Sequence, residues 1–254
     1  MFSYKAVYVI VLREFTRFFR QKGRLVVTIA RPLLWLVIVG SGFSRIITLP
    51  GDIDYRQFIL PGIVGMTILF SSVFSTITVV WDREFGFLRE MLVAPISRLT
   101  IVTGKLLGGT ALSLFQGGVL ITFAPLFGLS VSVVQYAWMF FLMALVALSI
   151  TALGLFIASF LKSLEGFNVI MNFVVLPMFF LSGSLYPVNT LPAALRHLTL
   201  LNPLSYGVDS FKHILLRGDG AMAGEFSFTL DIVALCLFSL VMISLASYSF
   251  GRRE

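Results

Sequence analysis

The sequence predicts an all-α polytopic membrane protein with six transmembrane helices. Its 254 residues are 58% hydrophobic and only 12% charged, with a mean hydropathy of +0.97, whereas soluble domains carry roughly 25% charged residues. Four tracts contain no Asp, Glu, Lys or Arg: 57–81, 106–161, 167–195 and 232–251. Because about 20 apolar helical residues cross a bilayer, the longest tract is sufficient for two spans.

The predicted spans belong to a single domain that covers residues 1–254. They are 25–47, 57–81, 106–127, 136–160, 167–187 and 229–250. Six spans place both termini on one side, and with that side inside, the inner segments hold 14 of the 19 basic residues. Since Lys and Arg accumulate on the cytoplasmic side, both termini are predicted to be cytoplasmic. The net charge of +7 follows from this topology and gives no argument for binding nucleic acid.

The segment 4–24 predicts an amphipathic helix that lies in the membrane interface. Four arginines recur every three to four residues and form one helical stripe: Arg13, Arg17, Arg20 and Arg24. Phenylalanines 15, 18 and 19 point largely the other way, so we expect the basic stripe to face water and lipid phosphates. The pattern fits a plain membrane anchor and equally a helix that also contacts a cytoplasmic partner.

Arg31 and Pro32 interrupt the start of the first predicted span. Proline is tolerated in the first turn of a helix, and an arginine near a span end extends its guanidinium to the headgroups. Arg31 is therefore interpreted either as an interfacial arginine or as part of a transport pathway.

The segment 82–105 connects spans two and three and carries an unusual density of charge, in the stretch "WDREFGFLREMLVAPISRLTIVTGK". Phe85, Leu88 and Leu92 have the spacing of one helix face, and Pro95 predicts a break before a second short helix. This is either an amphipathic element that passes force between a soluble partner and the bilayer, or a structured loop with a solvated charged face.

The end of span five and the segment 187–217 predict short helices on the outer side, and together they form a candidate outer gate. The residues assigned to it are Pro177, Pro187, Asn202, Pro203 and Tyr206. Pro177 is expected to distort span five near its outer end. Four aromatic residues are candidates to line a path for an amphiphilic cargo: Phe70, Phe74, Phe173 and Phe180.

Small residues at the start of span three predict close helix packing. Gly104 with Gly108, and Gly109 with Ser113, have the four-residue spacing that lets helices approach closely in lipid.

Two motifs resemble the ABC-2-type transporter permeases, the membrane subunits of bacterial exporters of drugs, lipid-linked polysaccharides and nodulation factors. In "REFGFLREMLVAPISRLTIVTGKLLGG" the matching residues are Glu84, Gly86, Leu92, Pro95, Gly104 and Lys105. In "LSGSLYPVNTLPAALRHLTLLNPLSYGVDSFKHIL" they are Pro187, Leu191, Pro192, Asn202, Pro203, Leu204 and Tyr206. With the six spans and the interfacial helix, the resemblance covers almost the whole chain.

The resemblance implies that residues 94–100 resemble a coupling helix, which docks in a cleft of a separate ATP-binding subunit. The residues expected to contact that subunit are Glu84, Arg89, Glu90, Pro95, Ser97 and Arg98. It further implies two ATP-binding subunits, a second permease subunit in a homodimer, a bacterial inner membrane location, and export of an amphiphilic, lipid-linked or drug-like substrate.

The sequence predicts neither an ATPase site nor a metal site. Its one Gly-Lys pair, Gly104-Lys105, has Leu99 where a P-loop needs its first glycine and Leu106 where it needs Ser or Thr. ATP and Mg²⁺ are therefore expected on the partner subunit, with no cofactor in this chain and no enzymatic activity of its own. The two histidines, His197 and His213, are 16 residues apart and match no metal motif.

The alternative is a membrane protein that is not driven by ATP: a channel, a scaffold or a secondary transporter. No carboxylate pair lies inside one predicted span, which argues against transport coupled to protons or sodium.

Overall fold

The computed structural model describes residues 2–44, 54–87, 91, 93, 96–216 and 224–252, with the backbone alone at 24, 25, 251 and 252. These residues form nine α-helices and no β-strand, as predicted. The helices are α1 (Tyr4–Arg20), α2 (Lys22–Phe43), α3 (Tyr55–Glu84), α4 (Arg98–Ile121), α5 (Val133–Ala158), α6 (Leu164–Phe180), α7 (Ala193–Thr199), α8 (Pro203–Leu215) and α9 (Phe228–Arg252). Two short 3₁₀ helices, Ala124–Phe127 and Val188–Thr190, lie in connections.

Four of these helices are long and apolar enough to cross a membrane. The qualifying stretches are Val26–Phe43 in α2, all of α3, all of α5, and Phe228–Phe250 in α9. Helix α6 is apolar but has 17 residues, and α4 has 24 residues that include the buried Lys105. Each of the six predicted spans overlaps one helix, whereas the six-span layout itself stays a prediction.

Helix α3 lies at the centre of the bundle and packs against α2, α4, α5, α6 and α8. Small residues make these contacts close: a Cβ atom at Gly109 would lie 2.3 Å from the Ser75 hydroxyl, and one at Gly154 would lie 2.7 Å from Thr76 Oγ1. The Ser72 hydroxyl also donates to that of Ser113, 3.0 Å away. The predicted close packing at Gly109 and Ser113 is therefore confirmed.

The helices run between two ends of the bundle. At the charged end, α1 lies beside the last turn of α3 and the first turns of α4, where Asp82 and Lys105 meet. At the far end, the hydroxyl of Tyr55 donates to the carbonyl of Leu185 over 3.0 Å.

Helix α1 ends at Arg20, four residues before the predicted end of the interfacial helix. Gln21 leaves the helical conformation, with φ −90° and ψ 75°, and its N–H donates to the carbonyl of Phe18. Arg24 consequently belongs to α2. The prediction that all four arginines lie on one helix is therefore wrong for Arg24.

The segment after α6 does form short helices, but α8 does not lie on the surface. Eleven of its residues are buried, and a Cβ at Gly207 would lie 2.6 Å from Val146, halfway along α5. On the other side, a Cβ at Gly65 would lie 2.7 Å from Val208. Helix α8 therefore fills the interior of the bundle at the far end, while the predicted position of the short helices on the outer side of the membrane stays a prediction.

Candidate functional site

A buried ionic cluster joins α1, α3 and α4 at the charged end. The Lys105 ammonium donates to Glu14 Oε1 over 2.7 Å, to Asp82 Oδ2 over 2.6 Å and to Thr78 Oγ1 over 3.1 Å. The Arg13 guanidinium binds the second oxygen of Asp82, also over 2.6 Å. We call Arg13, Glu14, Asp82 and Lys105 the ionic cluster; its two cations and two carboxylates balance in charge, as buried charges must.

The cluster forms because α1 and α4 approach each other closely. Ile10, Glu14 and Phe18 are the buried residues of α1 and recur every four residues, so they form one face. A Cβ at Gly104 would lie 2.9 Å from Ile10, and one at Gly108 would lie 3.3 Å from Glu14. Because these two glycines have no side chains, α1 can pack closely against α4. Lys105, which follows Gly104, then lies within hydrogen-bond distance of the Glu14 carboxylate.

Two of the arginines predicted to face water and phosphates contact the charged end of α3. Arg13 lies over the Phe87 ring at 4.1 Å, and Arg17 lies over the Trp81 ring at 5.0 Å; contacts of this kind are attractive. Arg20 is exposed. Arg13 and Arg17 therefore have aromatic partners within the protein that the sequence did not predict, and the orientation of the arginine stripe toward water and phosphates stays a prediction.

The segment between α3 and α4 folds back onto α4 where it is described. Gly86 turns the chain with φ +82°, a conformation that favours glycine. Met91 and Ile101 are buried together, and Ile96 packs against them. Val93 remains 87% exposed and Phe85 68% exposed. The segment consequently presents apolar side chains to the outside while being held against the ionic cluster.

Three of the six predicted coupling residues can be located. Glu84 ends α3, and its carboxylate accepts the N–H of Leu164 over 3.1 Å at the start of α6. Ser97 precedes the first turn of α4 and accepts the N–H of Thr100. Arg98 is exposed and donates to the carbonyl of Phe250 near the end of α9. Arg89, Glu90 and Pro95 lie outside the described residues.

The predicted gate residues meet at the far end. Asn202 precedes α8, where its side-chain oxygen accepts the N–H of Leu204 and its amide donates to the carbonyl of Met178 over 2.7 Å. That carbonyl lies in the last turn of α6, next to Pro177. Asn202 therefore ties the end of α6 to the start of α8.

The remaining gate residues shape the connection between these helices. Pro203 occupies the first position of α8, as its fixed φ favours, and Pro187 precedes the 3₁₀ helix. The hydroxyl of Tyr206 donates to the carbonyl of Leu200 over 2.8 Å.

A cavity of about 440 Å³ opens between α2, α3 and α4. Most of its lining is apolar and includes Phe70 and Phe74, two of the predicted path residues. Its polar groups are Thr28, Arg31, Thr67, Ser71 and Gln116. The guanidinium of Arg31 lies 4.8 Å from the centre of the Phe70 ring, and the Ser71 hydroxyl is buried without a hydrogen-bond partner among the described residues.

The other predicted path residues lie elsewhere. Phe173 is 82% exposed on α6 and contributes to a separate shallow groove with Val169 and Leu176. Phe180 ends α6 and is exposed.

A helical bundle with several membrane-length apolar helices, held at one end by buried ion pairs, defines a polytopic membrane protein. Residues 5–216 match the family model described as ABC-2 type transporter, and the chain belongs to that family. Membership makes it a membrane transport subunit and implies an ABC-type ATP-binding partner.

Three relatives illustrate the similarity. The chain is 31% identical over 229 residues to the transport permease ycf38 of Porphyra purpurea. This alignment covers 86% of this chain and 78% of the relative. It is 28% identical over 252 residues to the inner membrane transport permease YadH of Escherichia coli (strain K12), covering 98% and 96%. It is 28% identical over 228 residues to nodulation protein J of Rhizobium meliloti (strain 1021), covering 89% and 84%.

Sequence reasoning did not assign Glu14, Asp82 and Lys105 to a site. A signal was available for each: Glu14 interrupts the apolar face between Ile10 and Phe18, and Lys105 stands at the head of a long uncharged tract. A lone buried lysine requires a carboxylate, but the sequence offers several and does not say which are near.

Proposed function

We propose that this chain is the permease subunit of an ATP-driven exporter, in which segment 82–105 docks on a separate ATP-binding subunit. The ionic cluster is the observation that carries this proposal. Asp82 and Lys105 of this cluster are the two ends of the segment, and its three ion pairs join α1, α3 and α4. A displacement of the segment would therefore move α1, α3 and α4 as one body.

The exposed side chains of the segment support a docking role. Val93, Phe85 and the neighbouring Leu99 are 87%, 68% and 53% exposed, and Arg98 stands beside them. Interfaces between proteins combine an apolar centre with a polar rim, and charges at the rim set the orientation of the partner more than the affinity. We infer that Glu84, Arg89, Glu90 and Arg98 form such a rim.

Two copies of the ATP-binding subunit and a second permease copy complete the proposed assembly. Both termini and segment 82–105 face the cytoplasm, in an inner membrane like that named for the YadH relatives. The count of basic residues on the two sides supports this orientation.

The proposed cargo is amphiphilic. The cavity of about 440 Å³ between α2, α3 and α4 combines apolar walls with one guanidinium and several hydroxyl or amide groups. This volume falls within the range of ligand pockets, which place a few polar groups in a mostly apolar surface. The gate residues at the far end would then control release on the outer side.

The test of the proposal is co-purification with the ATP-binding subunit. We expect Arg98→Glu to weaken capture of that subunit by about tenfold, because one reversed rim charge costs on the order of 1.4 kcal/mol. Both proteins are co-expressed, the permease is captured through a tag, and the bound ATP-binding subunit is quantified with its ATPase activity.

The matched control is Lys162→Glu, which reverses another exposed charge in the connection between α5 and α6 and is expected to leave capture unchanged. Equal loss with both variants would contradict a specific rim at Arg98. Normal transport by the permease without any ATP-binding partner would contradict the proposal and favour the channel or secondary-transporter alternative.

A second prediction concerns Arg31. Arg31→Ala is expected to reduce the preference of the cavity for an anionic over a zwitterionic phospholipid by about tenfold, because the guanidinium no longer compensates the net negative charge of the anionic headgroup. Native mass spectrometry of the protein with phosphatidylglycerol and phosphatidylcholine measures the selectivity. Arg196→Ala, which removes an exposed arginine on α7, is the control. Unchanged selectivity in Arg31→Ala would favour the purely interfacial interpretation of this residue.

A further inference from the structure

A cluster of acidic residues and one histidine lies at the far end, where α8 meets the start of α9. Asp209 and His213 are one helical turn apart on α8, and Asp231 lies in the first turn of α9. The Nε2 atom of His213 is 3.6 Å from Asp209 Oδ2 and 3.8 Å from Asp231 Oδ2. One ligand atom from each of the three side chains lies within 4.8 Å of the other two.

Asp231 is the member that the fold leaves unexplained. Its side chain is fully buried, and neither carboxylate oxygen has a hydrogen-bond partner among the described residues. A buried, unpaired carboxylate is costly. Asp209, in contrast, accepts the N–H groups of Glu225 and Phe226 over 2.7 and 2.9 Å, so it holds the chain that enters α9.

Among the described residues around this cluster, carboxylates outnumber cations. Asp209, Glu225 and Asp231 are carboxylates, whereas the described cation beside them is Lys212, whose ammonium donates to the carbonyl of Gly183 over 2.8 Å. Glu225 accepts the N–H of Val188. Asp209 and Asp231 are the two carboxylates that face His213, and as ionised ligands they would match the charge of a divalent cation.

The distances around His213 approach those between the ligand atoms of a metal site. His213 Nε2 also lies 2.9 Å from the carbonyl oxygen of Phe226, so three oxygens surround this nitrogen at 2.9–3.8 Å. Ligand atoms about 2.0–2.2 Å from a metal lie roughly 3.0–3.6 Å from each other. The His213 side chain is 23% exposed, so the cluster is accessible from the surface of the far end.

We propose that Asp209, His213 and Asp231 bind a divalent transition-metal ion of the Zn²⁺ type, with the carbonyl of Phe226 as a further oxygen ligand. One imidazole and two carboxylates suit Zn²⁺. The ion would join α8 to α9 and so fix the candidate gate at the far end. The expectation of no metal site rested on the spacing of the two histidines, and the structure supplies the missing ligands from aspartates instead. This inference stands independently of the exported cargo.

The probe is Zn²⁺ added to the full chain in lipid nanodiscs, followed by equilibrium dialysis and mass-spectrometric metal analysis. We expect about one Zn²⁺ per chain, and at least about tenfold weaker binding in His213→Gln and in Asp231→Asn. His197→Gln removes the other histidine, which is exposed on α7, and is expected to bind Zn²⁺ as the unaltered chain does.

A second measurement separates loss of the site from loss of the fold. Without metal, Asp231→Asn is expected to melt at the same temperature as the unaltered chain or higher, because it removes an uncompensated buried charge. Added Zn²⁺ is expected to raise the melting temperature of the unaltered chain but not that of His213→Gln. Zn²⁺ binding that persists in His213→Gln and Asp231→Asn, or that is lost equally in His197→Gln, would overturn the proposal. So would a chain that retains no Zn²⁺, since the histidine would then be satisfied as a protonated partner of both carboxylates.

Discussion

Replacing Lys105 with methionine is expected to destabilise the fold by about 3–5 kcal/mol, the cost of breaking a buried ion pair from one side. Lys105 is 3% exposed and contacts both Glu14 and Asp82. Without it, Asp82 keeps Arg13, but among the described residues Glu14 retains just the Thr78 hydroxyl at 3.4 Å. Mixed-micelle denaturation of the purified protein measures the change in the free energy of unfolding.

Two further variants make this prediction specific. Lys162→Met removes an exposed lysine and is expected to change the free energy of unfolding by less than about 0.5 kcal/mol. Adding Glu14→Gln to Lys105→Met removes the orphaned carboxylate and leaves the pair of Arg13 and Asp82, so the double variant is expected to recover much of the loss. A double variant less stable than Lys105→Met alone would show that the charges are not coupled as described.

The second large effect is expected at Gly62, where α3 contacts the turn that follows α6. A Cβ atom at this position would lie 2.4 Å from the carbonyl oxygen of Ser184 and 2.6 Å from its Cα. Because these are backbone atoms, no side-chain rotation relieves the overlap. Gly62→Ala is therefore expected to destabilise by about 1–3 kcal/mol or more, although alanine favours a helix by itself. The melting temperature of the detergent-solubilised protein reports the effect.

Gly42→Ala is the matched control for this substitution. Gly42 lies within α2, and a Cβ there would have no heavy atom within 4 Å. Its replacement is expected to be neutral or to stabilise by about 0.5–1 kcal/mol through helix propensity. If both alanine variants melt at the same temperature, the turn at Ser184 is not held against α3 as closely as described.

The helices were predictable from the sequence because the uncharged tracts encode them directly. Each predicted span has its helix, and Asn202-Pro203 begins α8 as its residue types favour. The depth of α8 was not predictable in the same way. The burial of α8 depends on two close contacts that glycines permit, one at Gly65 and one between Gly207 and Val146. Residues so far apart along the chain become neighbours only through packing.

The candidate sites were also predictable where local sequence patterns define them, and not where they depend on contacts between distant residues. Local patterns identified segment 82–105 and the arginines of α1, but not their partners, because Arg13 contacts Asp82 across 69 positions of sequence. Two carboxylates also meet in the fold without sharing a predicted span. Asp209 and Asp231 come from different segments, one of them inside span six, and packing places both within 4 Å of the same imidazole nitrogen.

The position of Lys105 has a consequence for biogenesis. Helix α4 places Lys105, Thr110, Ser113 and Gln116 on buried faces, and a buried ammonium opposes partitioning into the bilayer unless a carboxylate meets it. Synthesis from the N-terminus delivers Glu14 and Asp82 before Lys105 emerges from the ribosome. The carboxylates that pair with Lys105 have thus been synthesised before α4. Insertion of α4 into the bilayer can therefore depend on helices that precede it in the chain.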